Sequence, residues 1–550
     1  MIKVLSTNIT SPLGFTSEQN YQAVRSGASA LKRYEGLWGL HEPFTASLFS
    51  EEQNAELAID GYTRFESIAI RSVREALSHT QLDVASPRIV LILSTTKGNI
   101  EALDDKQYYP SEAAQAIASA IGVTTTPIVV CNACVSGLSA QLLANHLLSA
   151  GLYDYAIVVG AEVQSKFIVS GFQSLKAVSD EPCRPFDIER IGLNLGEAAA
   201  TIIFAKDCSA GMWTLVDGAV RNDAYHNVSP SPQGDGYYNA IQTVMEGHDM
   251  TQLATVCVHG TATLYNDQME SKAIQRAGLS DIPLSALKGY YGHTMGAAGV
   301  LETILTMCAT DDGIVLPSKG FTEPGVSGKV SISSETQKTD KTAFLKLLSG
   351  FGGCNVAALY ARCAMEESQG AKDKERWEKT HTVRLSSKDG LALIDIYKQQ
   401  IGDYPKFYKM DILTRLAFVA AELLKKNLLP EEEEGWEDTS VILFNHSSSI
   451  VADRQFLSTI NDAGNFFPSP AVFVYTLPNI TTGEIAIRNH IQGETSFYIL
   501  PAKDEAFMQQ ILEATLRGTK ATRAICGWVN AETETDFECE LSTFEAIIQE

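Results

Sequence analysis

Short apolar runs alternate with amphipathic stretches from about residue 88 onward. The runs RIVLILST, PIVVCNA and YAIVVGAEV are continuous, rich in β-branched residues and short, as in buried strands. Between them, SEAAQAIASAIG and LSAQLLANHLLSAG carry the apolar spacing of helices. Strands that alternate with helices predict a sheet covered by helices, and therefore an α/β fold.

A second series of the same kind follows further along the chain. Its apolar runs are AAATIIFA, LATVCVHG and AFLKLLSGFGGCNVAALYARC, and glycine clusters separate them. Glycine tolerates the tight backbone turns that bring loops close to a site. The alternating pattern therefore extends over the first two thirds of the chain.

A charged segment divides the chain. The chain has 550 residues, more than a single hydrophobic core usually contains, so two or more domains are expected. The sequence MEESQGAKDKERWEKTH, which begins at residue 365, is dense in charge and poor in aliphatic residues. We predict a first domain over residues 1–365, a linker over 366–380 and a second domain over 381–550.

The sequence of the last part of the chain resembles that of the first domain. With Ile121 set against Ile491, an offset of 370 residues, IGVTTTPIVVCNAC lies over IQGETSFYILPAKD, and Cys134 falls on Asp504. RIVLILSTTKGNI similarly resembles TSVILFNHSSSIV, and YAIVVGAE resembles RAICGWVNAE. The pattern indicates a repeated supersecondary unit whose second copy lacks the thiol.

Composition narrows the classes of function. A formal net charge of −23 argues against a nucleic-acid or anionic-membrane surface. The opening residues lack the apolar stretch of a signal peptide, and no apolar run reaches the length of a membrane span, so a cytoplasmic protein is expected. Ten scattered cysteines suit a reducing compartment better than a disulfide framework.

Two of these cysteines, Cys131 and Cys134, stand three apart where a strand pattern gives way to a helical one. A zinc site needs a second ligand pair, and the nearest candidates, Cys257 and His259, do not supply one, so metal and redox roles are disfavoured. Cys134 precedes the predicted helix, whose N-terminal N–H groups favour a nucleophilic thiolate. Cys131 is expected to point into the core.

Two histidines have the setting of catalytic groups. His259 follows the apolar run ATVCV, and His293 lies in the glycine-rich segment KGYYGHTMGAAG. Loops at strand ends are where α/β proteins collect catalytic groups. The other histidines lack such settings and are expected to be structural or exposed: His41, His79, His146, His226, His248, His381, His446 and His490.

Five segments in series suggest a family. NACVSG, RPFDIERIGLNLGEAAA, HGTATLYND, KGYYGHTMGAAG and GFGGCN, in this order over residues 1 to about 365, closely resemble the β-ketoacyl-acyl-carrier-protein synthases of the elongating type. Any one motif is weak, but five across a full-length domain are highly specific. The Cys-His-His set resembles the elongating enzymes, since the initiating class carries Asn in place of the second histidine.

The resemblance implies decarboxylative Claisen condensation. Cys134 would accept an acyl chain as a thioester, and a malonyl-carrier would lose carbon dioxide and attack it. His259 and His293 match the two active-site histidines, and as neutral N–H donors they would stabilise charge on the malonyl thioester oxygen. The backbone N–H groups of Cys134 and Phe351 match the oxyanion hole.

The resemblance also assigns supporting residues. Lys288 matches the active-site lysine, and Glu302 matches its ion-pair partner, which would keep the buried ammonium charged. Phe351 resembles the phenylalanine that gates the acyl pocket. Asp187 and Glu197 match positions that shape the fold near the site, and both are expected to be structural. Asn266 and Asp267 are expected to fix a loop.

The family's fold is the thiolase fold, in which two βαβαβ halves form a layered α-β-α-β-α core. The resemblance implies an acyl carrier protein as partner, a homodimer or a heterodimer with a related subunit, and fatty-acid or specialised polyene or polyketide-like biosynthesis. No metal and no cofactor are implied beyond the carrier's phosphopantetheine. Two positions depart from the family pattern, Ala262 from a common glycine and Cys354 from a common threonine.

Two other functions stay open at this level. The chain could be a non-catalytic, chain-length-setting subunit of a heterodimer, although such subunits typically lack the nucleophile. It could be a biosynthetic thiolase, a class that uses a second cysteine in the last glycine loop, where Cys354 lies. The second domain, with Asp504 at the nucleophile's position, is expected to be catalytically silent.

Overall fold

The computed structural model describes residues 2–103, 109–206, 213–362, 376–390, 392–427, 436–462, 464, 466–517 and 519–547. Its strands are β1 Ile2–Thr10, β2 Lys32–Tyr34, β3 Phe44–Ser47, β4 Ile89–Ser94, β5 Ile128–Val130, β6 Tyr155–Glu162, β7 Leu195–Gly196, β8 Ala198–Ala205, β9 Thr214–Asn222, β10 Leu253–Cys257, β11 Pro283–Ser285, β12 Ile314–Val315, β13 Ser331–Ile332, β14 Gln337–Lys338, β15 Ala343–Gly350, β16 Cys354–Ala361, β17 Arg376–Ser386, β18 Ser440–Asn445, β19 Thr495–Ile499, β20 Arg523–Thr533 and β21 Asp536–Ile547.

The helices lie between these strands. They are α1 Ser17–Arg25, α2 Glu51–Leu57, α3 Arg64–Ser78, α4 Pro110–Ile121, α5 Ser136–Ser149, α6 Lys166–Ser174, α7 Asp235–Met245, α8 Leu264–Arg276, α9 Lys288–Tyr291, α10 Ala298–Asp311, α11 Leu393–Gln400, α12 Ile412–Lys426, α13 Ile450–Ser458, α14 Pro470–Tyr475, α15 Ile480–Asn489 and α16 Glu505–Leu516. The apolar runs of the sequence became β4, β5, β6, β8, β10, β15 and β16. The strand–helix alternation is therefore confirmed.

Sixteen strands are hydrogen-bonded in one series, which divides into three blocks. The first block has the order β1-β8-β6-β4-β5, and β4, β5 and β6 run parallel in it. The second has the order β9-β16-β15-β10-β11-β13 and joins the first where β9 pairs with β1. The third, β19-β18-β20-β21-β17, comes from residues 376–547, which we call the C-terminal unit.

The C-terminal unit mirrors the first block. Read outward from the junction, β19, β18, β20, β21 and β17 take the places of β5, β4, β6, β8 and β1. At the junction β5 and β19 pair antiparallel with Val129 opposite Ile499, two positions that are 370 residues apart. The repeat read from the sequence is thus present in the fold. The two copies meet edge to edge through their corresponding strands.

Two helices form the middle layer of the core. Helices α5 and α10 are buried on nearly every side, because they pack between strands of the first block and strands of the second. They cross closely, and a Cβ on Gly137 would lie 2.7 Å from the carbonyl oxygen of Gly296. Close helix approach, more than a tight turn, is therefore what requires glycine at position 137.

Outer helices complete the layers. Helices α3 and α4 cover the far face of the first block, and α7 and α8 cover the second. Helix α3 begins with a capping box in which the side chains of Thr63 and Glu66 bond to each other's backbone N–H groups. The order of layers is α-β-α-β-α, so the predicted thiolase-like architecture is confirmed.

The predicted linker over 366–380 falls largely on residues 363–375, which lie outside the described part of the chain. Its last residues, 376–380, open strand β17, which pairs antiparallel with β21. The domain boundaries stay a prediction. Among the described residues, no helix has the length and apolar character needed to cross a bilayer.

Candidate active site

Cys134 lies at the entry to the middle layer. It occupies a 3₁₀ turn, Ala133–Val135, between strand β5 and helix α5. Ala133 has a φ of 47°, a left-handed conformation that turns the chain sharply just before the cysteine. Cys134 is 8% exposed and lines a cavity. Cys131, as expected, is fully buried and belongs to the hydrophobic core.

The protonation state of Cys134 differs from the expectation of a thiolate. Burial raises the pKa of the Cys134 thiol to about 12, and the charge of Lys288 only partly opposes that shift. Removal from water disfavours the charged thiolate, and this effect opposes those of the helix end and the nearby cation. The resting sulfur is a protonated thiol, so its proton must leave as the sulfur attacks.

The two histidines come together from distant loops. His259 follows β10, and His293 lies between α9 and the turn that opens α10. Their ring centroids are 5.2 Å apart with the planes at 82°, and both side chains line the same cavity as Cys134. A backbone bond holds the second of these loops, since His293 N–H donates to Asn194 O at 2.6 Å.

Both imidazoles are neutral. Burial, followed by the positive charge of Lys288, holds the pKa of His259 and of His293 well below the usual value. The Met295 N–H donates to His293 Nδ1 at 3.3 Å, which places the ring proton on Nε2. His293 Nε2 is buried and, within the described residues, has no partner. It is therefore an N–H donor available to a bound substrate.

A buried charge cluster lies beneath the histidines. Lys288 Nζ donates to Glu302 Oε1 at 2.7 Å and to the carbonyl oxygen of His259 at 2.7 Å. Lys346, which the sequence reasoning missed, donates to Glu302 Oε2 at 2.5 Å. Burial would raise the pKa of Glu302, but the two ammonium groups hold it below its usual value. The only signal for Lys346 was a lysine inside an otherwise apolar strand.

The cavity that joins these groups measures about 350 Å³. Cys134, His259 and His293 line it, together with Phe351 from the loop between β15 and β16. A Cβ on Gly350 would lie 3.4 Å from the backbone nitrogen of Cys134. The Gly350–Phe351 segment is therefore next to the nucleophile, where the predicted oxyanion hole requires it.

Asp187 and Glu197 hold loops and do not line the cavity. Asp187 Oδ2 accepts from the N–H groups of Thr322 and Glu323 at 2.7 and 3.0 Å. Burial acts to raise the pKa of Asp187, but these N–H donors hold it below its usual value. Glu197 accepts from Gln164 N–H at 2.8 Å and pairs with Arg64.

Two acidic residues of helix α8 fix the His259 turn. Glu270 accepts from the N–H groups of His259 and Gly260 at 2.7 and 2.9 Å, and its burial raises its pKa to about 7. Asp267 accepts from Thr261 N–H and Ala262 N–H at 3.0 and 3.1 Å. Sequence reasoning named Asp267 but missed Glu270. The signal was their i, i+3 spacing on one helix face.

The two departures from the family pattern also have structural settings. Ala262 has a φ of 62°, the left-handed region in which glycine is free of the Cβ clash, so the family's glycine has a physical reason. Cys354 is 2% exposed, does not line the cavity and directs its thiol to Thr495 O at 3.6 Å. It is not placed as the second thiol of a thiolase. No cluster of metal-ligating side chains occurs among the described residues.

Two family models match successive parts of the chain. The N-terminal domain of β-ketoacyl synthases matches residues 4–209, and the C-terminal domain of the same family matches residues 213–322. Together they span more than half of the sequence. The chain belongs to the β-ketoacyl synthase family.

Curated relatives agree with this membership. The 3-oxoacyl-acyl-carrier-protein synthase 2 of Vibrio cholerae is 27% identical over 412 residues, which cover 66% of this chain and 99% of that protein. The tetracenomycin polyketide synthase ketoacyl synthase alpha subunit of Streptomyces glaucescens is 27% identical over 347 residues, 55% of this chain and 82% of that protein. The chain is thus a condensing acyltransferase of the ketosynthase class.

Solved structures show how far the fold extends. The PfaC keto synthase–chain length factor matches with a TM-score of 0.80 at 13% identity and covers 99% of this chain and 78% of that one. The ketosynthase ApeO in complex with its chain length factor ApeC from Xenorhabdus doucetiae matches with a TM-score of 0.56 at 23% identity, over 66% of this chain and 97% of that chain. The first match includes the C-terminal unit, so that unit shares the fold as well.

Proposed function

We propose that this ketosynthase joins an acyl chain held on Cys134 to a malonyl unit delivered by an acyl carrier protein, with loss of carbon dioxide. The observation that carries the proposal is a buried thiol in one cavity with two neutral imidazoles. The product would be a β-ketoacyl carrier in fatty-acid or polyketide-like biosynthesis. Every step balances without a change of oxidation state, so we propose no cofactor beyond the carrier's phosphopantetheine.

Acylation comes first. The Cys134 sulfur attacks the carbonyl carbon of the acyl-carrier thioester, the carbon–sulfur bond to the carrier breaks, and the thiol proton ends on the departing pantetheine sulfur. Burial raises the pKa of the thiol, so proton loss and attack are coupled. The α5 N-terminus and Lys288 favour the transient anion.

Decarboxylation and condensation follow. The bond between the malonyl carboxylate and its α-carbon breaks, and carbon dioxide leaves. The electron pair is delocalised onto the thioester oxygen, where His259 and the free Nε2–H of His293 donate hydrogen bonds. The α-carbon then attacks the Cys134 thioester. The backbone N–H groups of Cys134 and Phe351 would bind the resulting oxyanion. The carbon–sulfur bond to Cys134 then breaks as the carbonyl re-forms, and the departing sulfur takes up a proton from water to restore the resting thiol.

Apolar side chains surround the mouth of the cavity. Of nine exposed large hydrophobic side chains in the described part of the chain, five either line the cavity or lie within three residues of a residue that lines it, and we call them the mouth rim. They are Ile188, Ile191, Tyr225, Leu264 and Tyr265. Three of them line the cavity itself, so whatever delivers a thioester to Cys134 must cross the rim. We propose the carrier protein as its partner.

The carrier contact would then depend little on charge. A net charge of −23 disfavours long-range attraction of an acidic carrier, whereas an apolar rim binds at short range. A second synthase subunit, as in the predicted homodimer or heterodimer, would need a surface other than the edge of β5. That edge is already paired with β19.

The test is intact-protein mass spectrometry after exposure to an acyl carrier. We expect one acyl adduct on the wild-type chain, its loss in Cys134→Ala and its retention in Cys131→Ala, a matched buried thiol three residues away. Added malonyl carrier should then release carbon dioxide and discharge the adduct. An adduct that persists on Cys134→Ala would refute the assignment. Activity that appears only with a second subunit would favour the non-catalytic or heterodimeric alternative.

A further inference from the structure

The loop that carries Phe351 is held by the C-terminal unit. We call residues 350–353 the gate loop, which connects β15 to β16. Asn479 Nδ2, at the start of α15, donates to the carbonyl oxygen of Phe351 at 2.8 Å. The first turn of α15 also packs against the loop backbone, since a Cβ on Gly483 would lie 2.7 Å from Gly352 O. The contact is direct.

The Asn479 side chain does not cap its own helix. It occupies the N-cap position of α15, where asparagine usually accepts a hydrogen bond from the helix and contributes about 1 kcal/mol. Here its side chain makes no capping bond, and its Oδ1 is buried without a partner among the described residues. The amide is oriented by its N–H donor. Helix stability therefore does not account for its orientation, and the gate loop does.

The rest of the gate loop is tied to the same unit through two asparagines. Asn222 Nδ2 donates to Gly352 O at 2.7 Å and to Thr495 Oγ1 at 3.0 Å. Asn227 O accepts from Gly352 N–H at 2.7 Å, while Asn227 Nδ2 donates to Glu484 Oε1 at 2.5 Å. Thr495 and Glu484 both belong to the C-terminal unit. Both asparagines that bond to Gly352 therefore also bond to residues of the C-terminal unit.

The Phe351 ring is also supported by the C-terminal unit. It lies 6.2 Å from the Phe172 ring, and Phe172 meets Phe473 edge to face at 5.4 Å. The Phe473 ring packs so closely against Gly171 that a Cβ at position 171 would overlap it. The backbone and the side chain of Phe351 are therefore both held from the C-terminal unit.

We propose that Asn479 is a positioning residue for the gate loop, and that the catalytically silent C-terminal unit acts on the reaction through it. The inference rests on the proposed function. With its carbonyl fixed by Asn479, Phe351 keeps its N–H beside Cys134 and its ring over the route of the acyl chain. Small displacements of such groups cost a reaction far more than they cost binding.

The test compares Asn479→Ala with Asn489→Ala in the full-length chain. Asn489 is a matched control, because it is buried on the same helix but bonds Ile485 O and Lys425, away from the loop. We expect Asn479→Ala to lower kcat for condensation about tenfold, as the loss of one well-placed buried hydrogen bond implies, with the KM for malonyl carrier changed less than about twofold. Its Cys134 should also accept a broader range of acyl lengths.

A second variant separates positioning from folding. Asn479→Leu keeps the approximate size and removes the donor without adding a charge, so it should reproduce the loss of kcat even if the alanine variant is unstable. Equal kcat and equal acyl range for both Asn479 variants and Asn489→Ala would overturn the inference. A wild-type chain that is never acylated would instead refute the proposed function, so the two failures are distinguishable.

Discussion

Lys288 and Lys346 donate to opposite oxygens of one carboxylate, that of Glu302. All three side chains are at most 3% exposed, so two buried cations share one anion. Lys288 also binds the carbonyl of His259, and Lys346 lies at 3.4 Å from the carbonyls of Cys257 and Val258, directly before that histidine. The cluster thus holds the His259 loop from below and keeps the imidazole neutral.

Replacing Glu302 by Gln should be severely destabilising. The change leaves two buried ammonium groups without a counter-charge, and removing one partner of a buried ion pair costs about 3–5 kcal/mol. We expect a loss of this size in the apparent free energy of unfolding in urea. Glu101→Gln is the control, because the Glu101 side chain is 41% exposed and Arg64 keeps Glu197 as a second partner, so stability should change by less than about 1 kcal/mol. Equal effects of the two variants would contradict the cluster's role.

The buried histidines predict a pH-dependent loss of stability. Their folded pKa values lie below the unfolded value, so only the unfolded chain binds protons as the pH falls below about 6.5. Their contribution is present above that pH and is lost below it. Between pH 7.5 and 5.5, each histidine should cost about 1.4 kcal/mol of apparent unfolding free energy.

The measurement compares urea unfolding of the wild type with His259→Asn/His293→Asn at both pH values. Burial raises the pKa of Glu162 and of Glu270 to about 7, so these two carboxyls stabilise the folded protein over the same fall in pH. Because they are present in both proteins, the difference between the two slopes isolates the imidazoles. His79→Asn, at an exposed ring, should leave the slope unchanged. Parallel slopes for wild type and double variant would disprove the neutral assignment.

The mouth rim predicts a carrier contact that salt barely affects. Ile188→Ser/Tyr225→Ser removes two exposed apolar side chains of the rim that do not line the cavity. We expect the KM for acyl carrier to rise roughly tenfold, at about 1 kcal/mol or less for each side chain. Acylation of Cys134 by a small thioester without a carrier should be unchanged.

Raising sodium chloride should change that KM little, because apolar contacts are not screened. Ile394→Ser is the control, since Ile394 is an exposed apolar residue of α11 in the C-terminal unit. A steep salt dependence, or an equal effect of Ile394→Ser, would show that the carrier binds elsewhere.

A second buried ion pair joins the C-terminal unit to the first block. Lys97 Nζ lies 2.6 Å from Asp453 Oδ1, with side chains 3% and 9% exposed. Lys97→Met should cost about 3–5 kcal/mol, because it leaves the Asp453 carboxylate buried and unpaired. The double variant Lys97→Met/Asp453→Leu should recover most of that loss. Additive losses in a double-mutant cycle of unfolding free energies would show that the pair contributes no coupling.

Local pattern was enough for much of this protein. The strands β4, β5 and β6 could be read from continuous apolar runs, because strands buried on both faces have no polar alternation. Cys134, His259 and His293 could be singled out because each follows a strand or a glycine turn, where a side chain reaches the open end of a sheet. The internal repeat was also visible in the sequence, since both copies form the same kind of buried strand.

Tertiary structure decided what depends on distant contacts and on burial. Lys346, Asn479 and Phe473 act through partners far away in sequence, and no local period marks such contacts. The helix start predicted a thiolate at Cys134, but depth of burial reversed the direction of its pKa, and depth is a property of the packed molecule. The sequence determined which groups are present and which elements carry them. Packing decided their charge, their partners and the contacts that the C-terminal unit makes with the loop of Phe351.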